Sequence, residues 1–277
     1  KGAGLGTGDA GFETQDRRRA MGDPSPESRA PDPGDTVDII IDDPDLCGCY
    51  VGAVAAVTVG PSPAWLQARL KASGIRPISN IVDITNYVLL ETGQPMHAFD
   101  RNRLGGGQIR VRRARAGERL KTLDGQERTL SSGMLVIADA NVPVAVAGVM
   151  GGADSGVCEA TRSIVFERAY FNPLSERGTS RALGLKTEAS MRFERGIDPG
   201  LAATALERAC ALLERIGAGT AGHPIVAGTL SGGGRSVRLR RDRIAGFLGL
   251  SIPGAGVTGI PESLEFAVAP AQDGWSV

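Results

Sequence analysis

Four stretches of this chain place polar or permissive residues where a plain core would not. The first is Asp83, Asn86 and Tyr87, set among Ile81, Val82, Ile84, Val88, Leu89 and Leu90. Their three- and four-residue spacing gathers them on one side of a helix. The second follows a Gly93-Gln94-Pro95 stop and carries His97, one of two histidines in the chain. A lone histidine there is either a satisfied structural residue or part of a site. The third is Met150-Gly151-Gly152, where missing side chains let something approach the backbone, or where the chain merely turns. The fourth is Glu167, an acid among apolar neighbours, either held for a purpose or reaching solvent from an edge. Buried polar groups cost free energy unless each finds a partner, so several of them together mark a site nearby.

The common covalent and phosphate-handling signatures are missing. There is no Gly-x-x-x-x-Gly-Lys-Ser/Thr loop to cradle ATP, no Gly-x-Ser-x-Gly elbow and no His-Glu-x-x-His zinc motif. Cys47-Gly48-Cys49 is too tight for paired metal ligands, and no second Cys/His pair lies near it.

The elements that must carry these residues alternate between strands and helices. Strands are expected at 36–43 and 49–59. Pro61-Ser62-Pro63 opens a helix with Ser62 as cap, and its Trp65, Leu66, Arg69 and Leu70 have helical spacing. Gly74 stops it. A second helix starts at Ser79 or Asn80 and runs to about Thr92. Gly105 to Gly107 is a turn, Ile109 to Arg113 a strand with one wet face, and 120–130 a hairpin turning at Asp124-Gly125. Met134 to Asp139, Val142 to Val149 and Ser163 to Ala169 read as strands. Asn172-Pro173 begins a helix that Gly184 ends. Asp198-Pro199 reads as a helix cap. Residues 201–216 form an amphipathic helix with Leu206, Cys210, Leu213 and Ile216 inward. Beyond Ser231 to Gly234, a strand at 237–239 and a helix at 241–248 precede a Gly/Pro-broken stretch from 254 to 277. The fold class is α+β, with mixed sheets flanked by helices.

Composition bounds the rest. The 277 residues carry 31 Lys+Arg and 31 Asp+Glu, a net charge of zero that argues against a non-specific nucleic-acid coat. Arg110, Arg112, Arg113 and Arg115 still cluster, as do Arg235, Arg238, Arg240, Arg241 and Arg243; a solvated strand or helix face is the expected reading of each group, with a local basic surface as the alternative. Aromatics are 4% of the chain, so aliphatic side chains and alanine must fill the core. Four cysteines without a framework fit a reduced, cytoplasmic protein. No apolar run is long enough for a bilayer and no signal peptide is seen, so no membrane partner is expected. Residues 1–35 lack apolar periodicity and read as a disordered linker. A start at Lys1 and an end within a strand read as a piece of a longer polypeptide.

Several segments together resemble one family, the beta subunit of bacterial phenylalanyl-tRNA synthetase. They are Gly74-Ile-Arg-Pro-Ile-Ser-Asn80, Val82-Asp-Ile-Thr-Asn-Tyr-Val88, Gln94-Pro-Met-His-Ala-Phe-Asp100, Gly148-Val-Met-Gly-Gly152, Leu183-Gly-Leu-Lys-Thr-Glu-Ala-Ser190 and Arg192-Phe-Glu-Arg-Gly-Ile-Asp-Pro199. The resemblance covers residues 36–220, which match the family's tRNA-editing domain. Residues 232–277 resemble the truncated start of a winged-helix-like domain. Two places depart from the pattern. Cys47-Gly48-Cys49 stands where the family has Cys-Pro-Arg, and Gly254 to Pro261 where it has a regular helix.

The resemblance implies part of a phenylalanine–tRNA ligase that joins Phe to tRNA(Phe) with ATP and Mg2+, in an alpha-two beta-two heterotetramer. The synthetic site would lie in the alpha subunit, and this segment would bind neither cofactor nor metal. It would hydrolyse Tyr-tRNA(Phe). A pocket shaped for Phe rejects a ligand that merely adds a hydroxyl by only about a hundredfold, so a second, polar pocket is needed. By motif, Glu167 would meet the tyrosine hydroxyl and His97 would position the ester or the attacking water. Gly151 would keep the pocket open, and Thr187 and Ala189 would form its far wall. No covalent nucleophile is expected. Arg192 and Arg195 either face the tRNA end or pair internally with Glu188 and Glu194. The alternatives are a structural, RNA-docking scaffold whose editing has decayed, and a free-standing RNA-binding module.

Overall fold

The structure, a computed structural model, describes residues 36–229, 234 and 236–277. The expected linker at 1–35 and Arg235 lie outside the described residues. In chain order the strands and helices are β1 (Asp38–Ile41), β2 (Cys47–Val57), α1 (Ala64–Ala72), α2 (Asn80–Thr92), β3 (His97–Asp100), β4 (Gln108–Arg113), β5 (Arg119–Lys121), β6 (Glu127–Thr129), β7 (Leu135–Ala138), β8 (Pro143–Val146), β9 (Met150–Gly151) and β10 (Ser163–Phe171). There follow α3 (Pro173–Leu183), α4 (Glu188–Phe193), α5 (Ala202–Arg215), β11 (Gly219–Ala221), β12 (Ile225–Gly228), β13 (Arg238–Arg240), α6 (Arg241–Leu248), α7 (Gly254–Glu262), β14 (Ala269–Ala271) and β15 (Gly274–Ser276). These residues fall into two compact units. One runs from residue 36 to Ile197 and from Leu201 to Gly228; the other holds Asp198–Gly200 and the described residues from Thr229 to Val277.

In the first unit two sheets enclose a shared core. One has the order β1-β4-β7-β8-β9, with β1 and β4 parallel and the other pairs antiparallel. The other has the order β11-β2-β10-β3, with β12 also paired to β2, and is antiparallel throughout. Alternation along β2 explains the layering. Val51, Ala53, Ala55 and Val57 face a cluster completed by Leu66, Leu70, Ile81, Ile84 and the Ala205, Leu206, Ala209 and Leu213 of α5. Tyr50 and Val54 face the other way, into the core between the sheets with Ile109, Val111, Ile137 and Val165. Burial on both faces is why β2 is apolar almost throughout. Each large aliphatic side chain sealed here stabilises the fold by about 1.5–3 kcal/mol. On α5, Cys210 and Ile216 are only half-buried, and Ala202, Ala205, Ala209 and Leu212 take the inner positions.

Local chemistry departs from expectation in three places. Ser62 does not cap α1. The cap residue is Pro63, and the Ser62 hydroxyl instead donates to Asp83 at 2.6 Å. Asp83, Asn86 and Tyr87 do not act as a set. Asp83 is 1% exposed and also accepts the Ile78 amide at 2.8 Å, while the Tyr87 hydroxyl accepts from Arg69 at 2.6 Å. Two of the three polar residues therefore tie α2 to its neighbours. The arginines of β4 are matched by carboxylates: Arg110 by Asp42, Arg112 by Glu118 and Arg113 by Asp43.

The second unit has a sheet of order β13-β15-β14 beside α6 and α7. Residues 254–277 are more regular than their glycines and prolines imply. Trp275 on β15 is 5% exposed with the Arg241 guanidinium 4.7 Å over its ring, and Val257 of α7 is buried. The helix at Gly254–Glu262 forms despite the weak propensity of its glycines and Pro261, with Val257 as its buried residue.

Candidate functional site

Strand register builds the centre of the site. Pairing of β10 with β3 makes Glu167 and His97 direct cross-strand partners. Both therefore project from the same face, toward the space between the sheets. Glu167 is 7% exposed, so it is not an edge charge in solvent. His97 lies edge-on to Phe99, ring centroids 4.6 Å apart. Its Nε2 is sealed from solvent, as is Oε2 of Glu167, and neither atom has a hydrogen-bond partner among the described residues.

Burial sets both charges. It pushes the Glu167 carboxyl up to about 7, with the Tyr50 phenol and the Arg168 guanidinium holding it from rising further. The phenol is near enough to bias the carboxyl without meeting full hydrogen-bond geometry. Arg168 lies on the opposite face of β10, fully buried and bonded to Gln94. Burial pulls His97 down to about 4, so its ring is neutral at pH 7.

These two side chains border a cavity of about 250 Å³. Thr85, Asn86 and Leu89 of α2 form one wall, Ile137 and Ala145 of the first sheet another, and Thr187, Ala189 and Phe193 the far one. An apolar cavity of roughly 150 Å³ is enough to admit a benzene ring. Gly151 stands at the rim for a steric reason. A Cβ there would lie 2.7 Å from His97 Cε1 and 2.9 Å from its Nε2. Gly148 has φ +61, and a Cβ on it would run into the Glu176 carboxylate.

Thr187 is more than a small wall residue. Its hydroxyl accepts the Ser190 amide at 3.0 Å as the cap of α4 and donates to the Val149 carbonyl at 2.9 Å. The Ser190 hydroxyl returns the favour to the Thr187 amide at 2.9 Å, closing a capping box. This pins α4 to the β8–β9 connection and sets where Ala189 and Phe193 stand.

The structure thus brings His97, Gly151, Glu167, Thr187 and Ala189 to one cavity and leaves Arg192 and Arg195 off its lining. Arg192 donates to the Glu188 carboxylate at 2.6 Å, and Arg195 lies 3.7 Å from Glu194. Internal pairing, one of the two alternatives open in sequence, is what they show. Three contributors escaped sequence reasoning. Thr85 sits unremarked inside the apolar helix run. Tyr50 is masked by the Cys-Gly-Cys stretch before it. Glu176, in the first turn of α3, looks like an ordinary solvated acid, yet it is 0% exposed with both oxygens unpartnered among the described residues. Burial raises its carboxyl well above the usual range. Among the described residues no three His, Cys, Asp or Glu side chains converge to hold a metal.

Comparison with known proteins places this architecture. The profile of the B3/4 domain matches residues 46–218, more than half of the chain. The chain belongs to the B3/4 domain family. This B3/4 chain is 47% identical over 234 residues to the "Phenylalanine--tRNA ligase beta subunit" of Carboxydothermus hydrogenoformans, covering 84% of itself and 29% of that protein. It is 52% identical over 202 residues to the subunit of that name from Symbiobacterium thermophilum, covering 72% and 23%, and 56% identical over 177 residues to that from Moorella thermoacetica, covering 64% and 22%. It therefore spans less than a third of the length of these relatives. A solved N-terminal fragment of the phenylalanyl-tRNA synthetase beta-subunit from Pyrococcus horikoshii overlays on 90% of this chain and 71% of its own, with a TM-score of 0.44 and 12% identity, too slight a likeness to add to the assignment.

Proposed function

We propose that this B3/4 chain is the editing part of a phenylalanine–tRNA ligase beta subunit and hydrolyses tyrosine wrongly esterified to tRNA(Phe). The observation that carries it is the cross-strand pair at the cavity, Glu167 and His97, each with a sealed, unpartnered polar atom. A tyrosine ring seated between the apolar walls puts its hydroxyl within reach of Glu167. A carboxyl poised near pH 7 serves a phenol in either protonation state, accepting from it when ionised and donating to it when neutral. Phenylalanine offers nothing, leaving that oxygen unsatisfied at a cost of about 1–3 kcal/mol. That difference alone corresponds to about 5- to 150-fold selection for the mistake.

We assign to neutral His97 the orientation of the attacking water. The two Cβ atoms of a directly opposed pair are about 5 Å apart, so a ligand that reaches one side chain lies beside the other. The Thr187 hydroxyl is occupied twice over, and no cysteine or serine lines the cavity. The arrangement favours a positioned water over a covalent intermediate. An aminoacyl ester is already activated, and placement beside the open backbone at Gly148 and Gly151 supplies the remainder. Water adds to the ester carbonyl, and the bond to the ribose oxygen breaks as that oxygen takes up a proton.

For the intact protein we infer the ligase reaction in the cytoplasm, with ATP and Mg2+ handled by an alpha subunit in an alpha-two beta-two assembly. Residues 36–220 are assigned to the editing domain, and 232–277 to the start of a winged-helix-like domain. The test compares hydrolysis of Tyr-tRNA(Phe) and Phe-tRNA(Phe) by the chain and by Glu167→Ala. Loss of the tyrosine preference in the variant is the expected result. A preference retained by Glu167→Ala removes the carboxyl from the reading, and no hydrolysis by a folded sample leaves the scaffold alternative.

A further inference from the structure

Short helix α4 has two different sides. Thr187, Glu188, Ala189 and Phe193 wall the cavity, whereas Lys186 before them and Glu194-Arg195 after line a second depression. This cleft, about 640 Å³, lies between α3 and α4 and is also lined by Arg177 and Arg181. Four cations thus surround one carboxylate. Arg195 leans toward that Glu194 at 3.7 Å, but Arg177, Arg181 and Lys186 have no carboxylate partner among the described residues. The arginines of β4 present the opposite arrangement, each held by an acid at 2.7 or 2.8 Å. Like charges left unmatched in a concave site raise the local potential and attract an anion.

The frame under these cations is fixed. The Ser180 hydroxyl bonds the Leu185 carbonyl, Gly184 ends α3 at φ +65, and the Thr187 capping box begins α4 three residues later. No aromatic side chain lines the cleft. It is therefore equipped to neutralise a backbone and has nothing on which to stack a base.

We propose that this cleft holds phosphodiester groups of the RNA strand whose esterified 3′ end enters the adjoining cavity. The proposal rests on the editing reading, since the cavity gives the strand its direction. Arg177, Arg181 and Lys186 make the contacts, and Arg195 exchanges Glu194 for a phosphate.

The test uses the whole chain and an uncharged RNA hairpin with a single-stranded 3′ tail, titrated by fluorescence anisotropy from about 50 to 200 mM salt. The variant Arg177→Gln/Arg181→Gln/Lys186→Gln is compared with Arg110→Gln/Arg113→Gln/Arg119→Gln, which removes the same charge from exposed, paired positions. Each lost contact to a single strand lowers the slope of log affinity against log salt by about 0.7, so the cleft variant should lose about 2 and the control none. Equal slopes in the cleft variant and the parent, an equal fall in the control, or a hairpin that does not bind the parent would overturn the proposal. Hydrolysis of 3′-O-tyrosyl-adenosine, which carries no phosphate, is measured alongside. It should be the same in parent and cleft variant. If neither cleaves it, the editing reading fails, while the salt slopes still decide the cleft.

Discussion

Glu167→Gln removes one titrating group from a sealed position while keeping its shape, and the consequence can be worked out from the structure. Burial raises this carboxyl from its ordinary 4.5 to about 7. The folded chain therefore holds the proton more tightly than the unfolded one. The stability this confers is complete below about pH 4.5 and is lost as pH rises through about 7. At 1.36 kcal/mol for each pH unit between 4.5 and 7, the loss is ~3 kcal/mol. His97 has the opposite sign. Its depressed value, about 4 against an ordinary 6.5, gives stability that is complete above about pH 6.5 and is lost as pH falls through about 4. The two slopes oppose each other between pH 4.5 and 6.5, so the parent curve conceals both. Glu176, raised by burial, adds a further decline with rising pH. Subtracting the curve of Glu167→Gln from that of the parent cancels the groups common to both. The difference should fall by ~3 kcal/mol between pH 4.5 and 7. Urea unfolding at a series of pH values supplies it, with Trp65 as reporter in a Trp275→Phe background so that the first unit alone is read. A difference curve flat to within about 1 kcal/mol across that range would refute the claim that Glu167 is held as a poised acid.

Gly151→Ala should lower stability by about 1–3 kcal/mol and abolish tyrosine-ester hydrolysis, because the methyl would sit 2.7 Å from a His97 ring braced against Phe99. Thermal melts and deacylation assays check both; unchanged values would show that the ring can swing aside. Thr187→Ala should cost about 1–2 kcal/mol through the lost cap and release α4 from Val149, whereas Thr187→Ser should restore most of the urea midpoint.

Legibility of the sequence followed the range of the forces involved. Elements ruled by local chemistry could be read directly: Ser79 caps α2 by accepting the Val82 amide, and Asp124-Gly125 turns the β5–β6 hairpin. What depends on contacts far apart in sequence could not. Ser62 resembles a cap until Asp83, 21 residues on, is seen to claim its hydroxyl. The burial of Glu176 depends on the Gly148 turn that crosses it, and nothing in its own helix announces that. Parallel pairing of β1 with β4 spans about 70 residues and has no local signature. Glu167 and His97 each stand out as polar residues in apolar company, yet their opposition is a fact of register alone. His97, Gly151, Glu167, Thr187 and Ala189 were visible in their motifs and were joined in one pocket only by family resemblance; Thr85, Tyr50 and Glu176 were not visible at all.

That register has a further consequence. β3 is the outermost strand of its sheet, paired to β10 over four residues and to Gly156 through one isolated bridge. Among the described residues no strand pairs with its opposite edge, so β3 has fewer ladder partners than β2 or β10. Hydrogen bonds at such an edge open in local fluctuations that cost far less than global unfolding. His97 thus rides on a four-residue edge strand, and Glu167 on a nine-residue central one. Local opening of β3 alone would part the two side chains while β10 stayed paired to β2.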